Sequence, residues 1–96
     1  MGDAQAEIQA IREALERAES AIRLTDDRVD AFRDATDLSE VGGTIRSDAG
    51  HLRADLAAEL KASTGLSMSR LGETLGMKKA GANRLVQVGK KRESAA

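Results

Sequence analysis

Residues 65–91 read GLSMSRLGETLGMKKAGANRLVQVGKK, and the fold turns on this stretch. Ser67 is a helix-capping type, because its hydroxyl can accept a hydrogen bond from a free amide of a first turn. It opens a short helix over residues 68–75, with Met68, Leu71 and Leu75 at the inner positions. Gly76 stands where the chain must turn sharply through a left-handed residue, which glycine enters without a Cβ penalty. Met77 carries apolar contact across the turn, and a second short helix follows over about 79–88. Its inner positions are Ala82, Leu85, Val86 and Val88. Gly81 lies inside it and costs ~0.5–1 kcal/mol relative to alanine.

With Ala82 and Leu85 inward, the outward face of this helix carries Lys79, Ala80, Asn83, Arg84 and Gln87. Asparagine and glutamine can pair with the edge of adenine through two hydrogen bonds, arginine can do the same with guanine, and alanine can touch the thymine methyl. Lys90, Lys91 and Arg92, with Ser69 and Arg70 on the preceding helix, suit phosphates, which position a protein without specifying sequence. The plainer reading of Asn83 and Gln87 is a solvated helix face. Local charge favours the nucleic acid: six bases and no acid lie between Met77 and Arg92. The chain as a whole has a net charge of −1, but residues 1–62 carry −6 and residues 63–96 carry +5. Such asymmetry suggests an acidic scaffold and a basic segment that meets an anion.

The segment LGETLGMKKAGANRLVQ resembles the helix-turn-helix of bacterial transcription factors and of the sigma-factor domain that reads promoter DNA. GLS followed by LGETLGM is similar to the start of the latter. The matching elements are Leu71, Gly72 at the small-residue position, Leu75, the turn residue Gly76, Met77 and Leu85. They cover about a quarter of the chain. Gly72 stands where alanine is usual, and Ala82 where a larger branched residue is usual. The resemblance implies a bacterial transcriptional regulator that binds double-stranded DNA. Lys78, Lys79, Ala80, Asn83, Arg84 and Gln87 stand where such proteins touch bases or nearby phosphates. Only about eight residues follow the second helix, so no β wing is expected.

Upstream, a helix over 47–62 completes a three-helix unit. Ser47 is its N-cap, Asp48 favours its positive end, and Leu52, Leu56 and Leu60 with Ala49 and Ala57 line one face. Ser63-Thr64-Gly65 closes it. The unit is expected to span 47–92, with residues 93–96 a disordered tail and residues 39–46, containing Gly42-Gly43, a linker.

Residues 1–38 read as one long helix. Between Asp3 and Ala35 there is neither proline nor glycine, and alanine, glutamate, arginine and leucine favour the helix. Ile8, Ile11, Leu15, Ala18, Ile22, Thr25, Val29 and Phe32 recur on a heptad step, with Thr25 the one polar member. Such a helix would be about 50 Å long. Ile8, Ile11, Leu15, Ala18, Ile22, Val29 and Phe32 are therefore the expected dimerisation residues. A second stripe, Ala10, Ala14, Ala21, Leu24, Ala31, Ala35 and Leu38, implies a further neighbour. Flanking charges leave strand direction open: in a parallel pair Glu7 meets Arg12 favourably, but Arg28 meets Arg33 unfavourably. Asp27, Asp30, Asp34 and Asp37 read as a solvated acidic face.

Composition supports self-association. The 96 residues include 17 alanines but only 19 Leu, Ile, Val and Phe together. A core so poor in large apolar groups needs a staple. With no cysteine there is no disulfide, and one histidine offers no metal set, so an oligomer is expected. No run approaches a membrane span, and residues 1–10 lack the basic-then-apolar pattern of a secretory signal. A cytoplasmic setting fits, and ten Arg against five Lys with abundant Ala and Asp fits a high-GC bacterium. No cofactor, metal or catalytic residue is expected: His51 has no nucleophile at useful spacing, and no glycine-rich phosphate loop follows a strand. The expectation is an all-α chain, a long coiled-coil-type helix followed by a three-helix DNA-binding unit, working as a homodimeric transcription regulator. Two alternatives stand beside it: a helical adaptor for RNA polymerase or a sigma factor, and a plasmid, phage or nucleoid DNA-organising protein of low specificity.

Overall fold

The structure, a computed structural model, describes residues 2–95. These residues form four helices and no strand: α1 (Asp3–Arg23), α2 (Arg28–Thr64), α3 (Met68–Leu75) and α4 (Lys79–Ala95). The all-α expectation holds, with long helices at the front and shorter ones behind. None of these helices is long and apolar enough to cross a membrane. The chain divides into two compact units, Met1–Thr44 and Ile45–Ala96.

In the first unit the expected single helix over 1–38 is interrupted at residues 24–27. The break uses neither glycine nor proline. The Leu24 and Thr25 amides close the end of α1 on the Ser20 and Ile22 carbonyls, both at 3.1 Å, and the Thr25 hydroxyl bonds back to the Ala21 carbonyl at 2.9 Å. Asp27 then caps α2. Its Oδ1 accepts from the Val29 amide at 2.8 Å and the Asp30 amide at 3.1 Å, satisfying donors that a helix start leaves free. Arg28 binds the Thr25 carbonyl across the break. Asp27 is thus a cap, and only Asp30, Asp34 and Asp37 remain on the helix as an acidic set. Thr25, the polar member of the heptad stripe, marked the place.

The structure is helical through 39–46, where a linker was expected, and Ser47 lies inside α2 without a capping role. Gly42 and Gly43 cost the helix about 1 kcal/mol each. Stopping would forfeit the bonds on either side and require a second nucleation, which costs more. Neither glycine takes a left-handed conformation; only Gly65 (φ 67°) and Gly76 (φ 68°) do. Thr44, just after the glycines, bonds back to the Glu40 carbonyl at 3.2 Å, as threonines inside helices do. The division between units falls inside this expected linker.

In the second unit the rear of α2 packs with α3 and α4. Leu71 and Val86 are its large fully buried side chains, joined by Ala57 and flanked by Leu60, Leu66, Met68 and Leu85. The face of α2 turned inward is Ala54, Ala57 and Ala58, with Leu60 packed at its rear end, whereas Leu52 is 58% and Leu56 53% exposed. The reason lies in α4. A Cβ placed on Gly89 would stand 2.7 Å from the Ala58 Cβ and 2.9 Å from the Ala54 carbonyl carbon. The two helices approach so closely that only small residues fit between them. This sets the inward face of α4 as Ala82, Val86 and Gly89 and leaves Val88 43% exposed, while Leu75 at the end of α3 is 37% exposed. α4 runs seven residues beyond its expected end, so positions 93–95, read as disordered, are helical; Ala96 lies outside the described residues. Lys90, Lys91 and Arg92 near its C-terminus favour that extension through the helix dipole.

Candidate nucleic-acid interface

The sequence-expected cap, turn and second helix are all present. Ser67 Oγ accepts from the Arg70 amide at 3.2 Å and starts α3. Gly76 ends it in the left-handed region, and the Met77 amide donates to the Gly72 carbonyl at 2.8 Å. A Cβ on Gly72 would meet the Met77 carbonyl oxygen at 2.8 Å, so the missing methyl lets the turn fold tightly over α3. α4 begins three residues after Gly76 and is held through buried Ala82, Val86 and Gly89.

That anchoring decides which side chains face water. Lys78, Lys79, Ala80, Asn83, Arg84, Gln87, Lys90 and Lys91 are all exposed, as are Ser69 and Arg70 on α3. At 100° per residue, the seven on α4 from Lys79 to Lys91 occupy an arc of about 140° that excludes Ala82, Val86 and Gly89. Asn83 and Gln87 lie near its middle and Arg84 at one edge, and Lys90 and Lys91 carry it about 6 Å beyond Gln87 along the helix. Among the described residues none of its cations is in an ion pair, so its charge is free to act on an external anion. The second unit carries five acids and ten bases, the first eleven acids and five bases.

Arg92 differs from the other expected phosphate contacts. Its Nε bonds Asp55 Oδ1 at 2.9 Å and its Nη2 bonds Oδ2 at 3.3 Å, a two-point clasp from α4 to α2. The hydrogen bond holds the Asp55 carboxyl below the ordinary carboxylate range and raises the Arg92 guanidinium above its ordinary value. Arg92 therefore fixes the far end of α4 while the lysines beside it stay free. Sequence reading missed this pair and Gly89. The spacing of a small residue three after Val86 was the available signal for the glycine; the Asp55–Arg92 pair, 37 residues apart, left none.

In the first unit, Ile8, Ile11 and Leu15 lie exposed along α1, while Ala18 and Ile22 are half-buried. Ile22 lines a groove with Ala31, Phe32, Ala35 and Leu38 of α2, and Ala31 is buried there. The stripe read as four continuous heptads is thus split by the break at 24–27, with Val29 and Phe32 on the following helix, both exposed. Among the described residues no group of three His, Asp or Glu side chains is placed to hold a metal ion. No protein-family model, curated protein or solved structure matches the chain, so its site stands on its own residues.

Proposed function

We propose that this chain is a dimeric DNA-binding protein of the helix-turn-helix type, a bacterial transcription regulator acting in the cytoplasm. The N-terminal part of α4 enters the major groove, which is about 12 Å wide and admits a helix. Asn83, Arg84 and Gln87 read base edges, and Ala80 meets thymine methyl groups. Lys78, Lys79, Lys90 and Lys91, with Ser69 and Arg70, hold phosphates. One observation carries this reading: an acid-free face that includes bidentate-capable side chains, presented outward by a helix anchored through a separate face. Ile8, Ile11 and Leu15 join two chains, so that paired helices read half-sites about 34 Å apart, or a multiple of that.

Selection from random duplexes with the full-length protein tests the proposal, and a symmetric motif is the expected product. Binding must fall linearly on a log–log salt plot, with a slope set by the number of phosphates met. Arg84→Ala is expected to cost ~1–3 kcal/mol and relax choice at one base position. Equal loss on every sequence would reduce Arg84 to a phosphate contact, and absence of duplex binding at low salt would end the proposal.

A further inference from the structure

The exposed leucines of α2 have a pattern of their own. Ile45, Ala49, Leu52 and Leu56 follow a heptad step, and lie at d, a, d and a if Ala49 is placed at a. In that register Ala54, Ala57 and Ala58 fall at f, b and c, the positions on the back of a paired helix. The burial is inverted relative to a lone coiled-coil strand. The back positions are 1–7% exposed because α3 and α4 cover them, while Ile45, Leu52 and Leu56 at the seam are 46–58% exposed. Among the described residues of the second unit, α3 and α4 leave this seam exposed. At its rear end Leu56 and Leu60 border a groove with Leu75, Met77 and Leu85, which prolongs the apolar surface.

The flanking charges name the occupant and its direction. Asp48 and Asp55 stand at g, Arg46 and Arg53 at e. In a parallel pair, g of one helix faces e of the next heptad on the other, so Asp48 meets Arg53 of a second copy twice by symmetry. In an antiparallel pair, g faces g and e faces e, which sets Arg46 against Arg53, while Asp48 faces an Asp55 already paired with Arg92. Like charges there are unfavourable. A unit whose large fully buried side chains are Leu71 and Val86 also has a small core of its own, the condition in which association supplies stability.

We infer that the Ile45–Leu56 seam of α2 pairs in parallel with the same seam of a second copy. This deepens the dimer of the functional proposal but uses different residues and stands whether or not DNA is the ligand. The chain has no cysteine, so single substitutions report cleanly. Leu52→Cys in the full chain, mildly oxidised, is expected to give a disulfide-linked dimer, since parallel d positions face each other. A mixture of Ile45→Cys and Leu56→Cys chains is expected to give no mixed disulfide. Leu52→Asp with Leu56→Asp, both on an exposed face, should leave the helical circular dichroism intact. The same pair should weaken dimerisation in sedimentation by at least about a hundredfold. Asp48→Arg or Arg53→Asp alone should weaken it, and the two together restore it. A monomeric unsubstituted chain, a mixed disulfide between positions 45 and 56, or unchanged mass for the doubly charged variant would each overturn the inference. Ile11→Cys probes the α1 stripe separately, so failure of one seam is distinguishable from failure of the other.

Discussion

The two units solve the same shortage of large apolar residues in opposite ways. The second unit gathers its few large groups inward: Leu71 and Val86 are fully buried, and alanines and Gly89 bring helices close enough to enclose them. The first unit gathers almost nothing. Among its described residues Ala31 is the buried apolar one, and α1 buries none. The first unit is acidic and the second basic. Packing with small residues can complete a core within one chain when a turn such as that at Gly76 brings helices together. The spaced Ile8, Ile11 and Leu15 of α1 have no such turn within their unit and stay exposed.

Substitutions can break that contrast. Leu71→Ala is expected to have the largest effect, about 2–5 kcal/mol in urea unfolding, at any protein concentration, because it empties an enclosed core. Ile11→Asp acts on the other unit and should behave differently. It places a charge in an apolar seam, should raise the dimer dissociation constant about ten- to a hundredfold in sedimentation, and should lower a melting temperature that depends on concentration. A concentration-independent loss with Ile11→Asp would mean that the first unit carries a core of its own. Ser67→Ala sharpens the picture within the second unit. Removing the cap that receives the Arg70 amide should cost ~1 kcal/mol, read as a shifted unfolding midpoint with unchanged oligomeric state. The smallest effect belongs to the Asp55–Arg92 clasp, which is partly exposed and screened. Asp55 is held below the ordinary carboxylate range, so its contribution is complete above that range and fades as pH falls through the lowered value. Asp55→Asn should flatten that acid-side slope in thermal unfolding.

Much of the second unit was legible residue by residue. Ser67, Gly65 and Gly76 act through their own chemistry, and the cap, the helix end and the turn appear where those residues stand. The outward placement of Asn83, Arg84 and Gln87 followed once Ala82 and Leu85 were read as inward. Elsewhere local signals competed. Gly42-Gly43 looked like a break, but an established helix passes two glycines more cheaply than it restarts. Asp27 looked like part of an acidic face, yet it caps α2 because Thr25 and Leu24 had already closed α1. Leu52 and Leu56 looked like core because they are large. The core face of α2 is instead the alanine face, since Gly89 of α4 approaches too closely for leucine.

Helix content, the capped turn and the separation of charge belong to the sequence by itself, because propensity, capping and charge act over a few neighbouring residues. Only the tertiary structure decided which side of α2 meets α4 and that Arg92 is spent on Asp55. Those choices depend on contacts between residues distant along the chain, where fit and closeness of approach outweigh the preference of any single position.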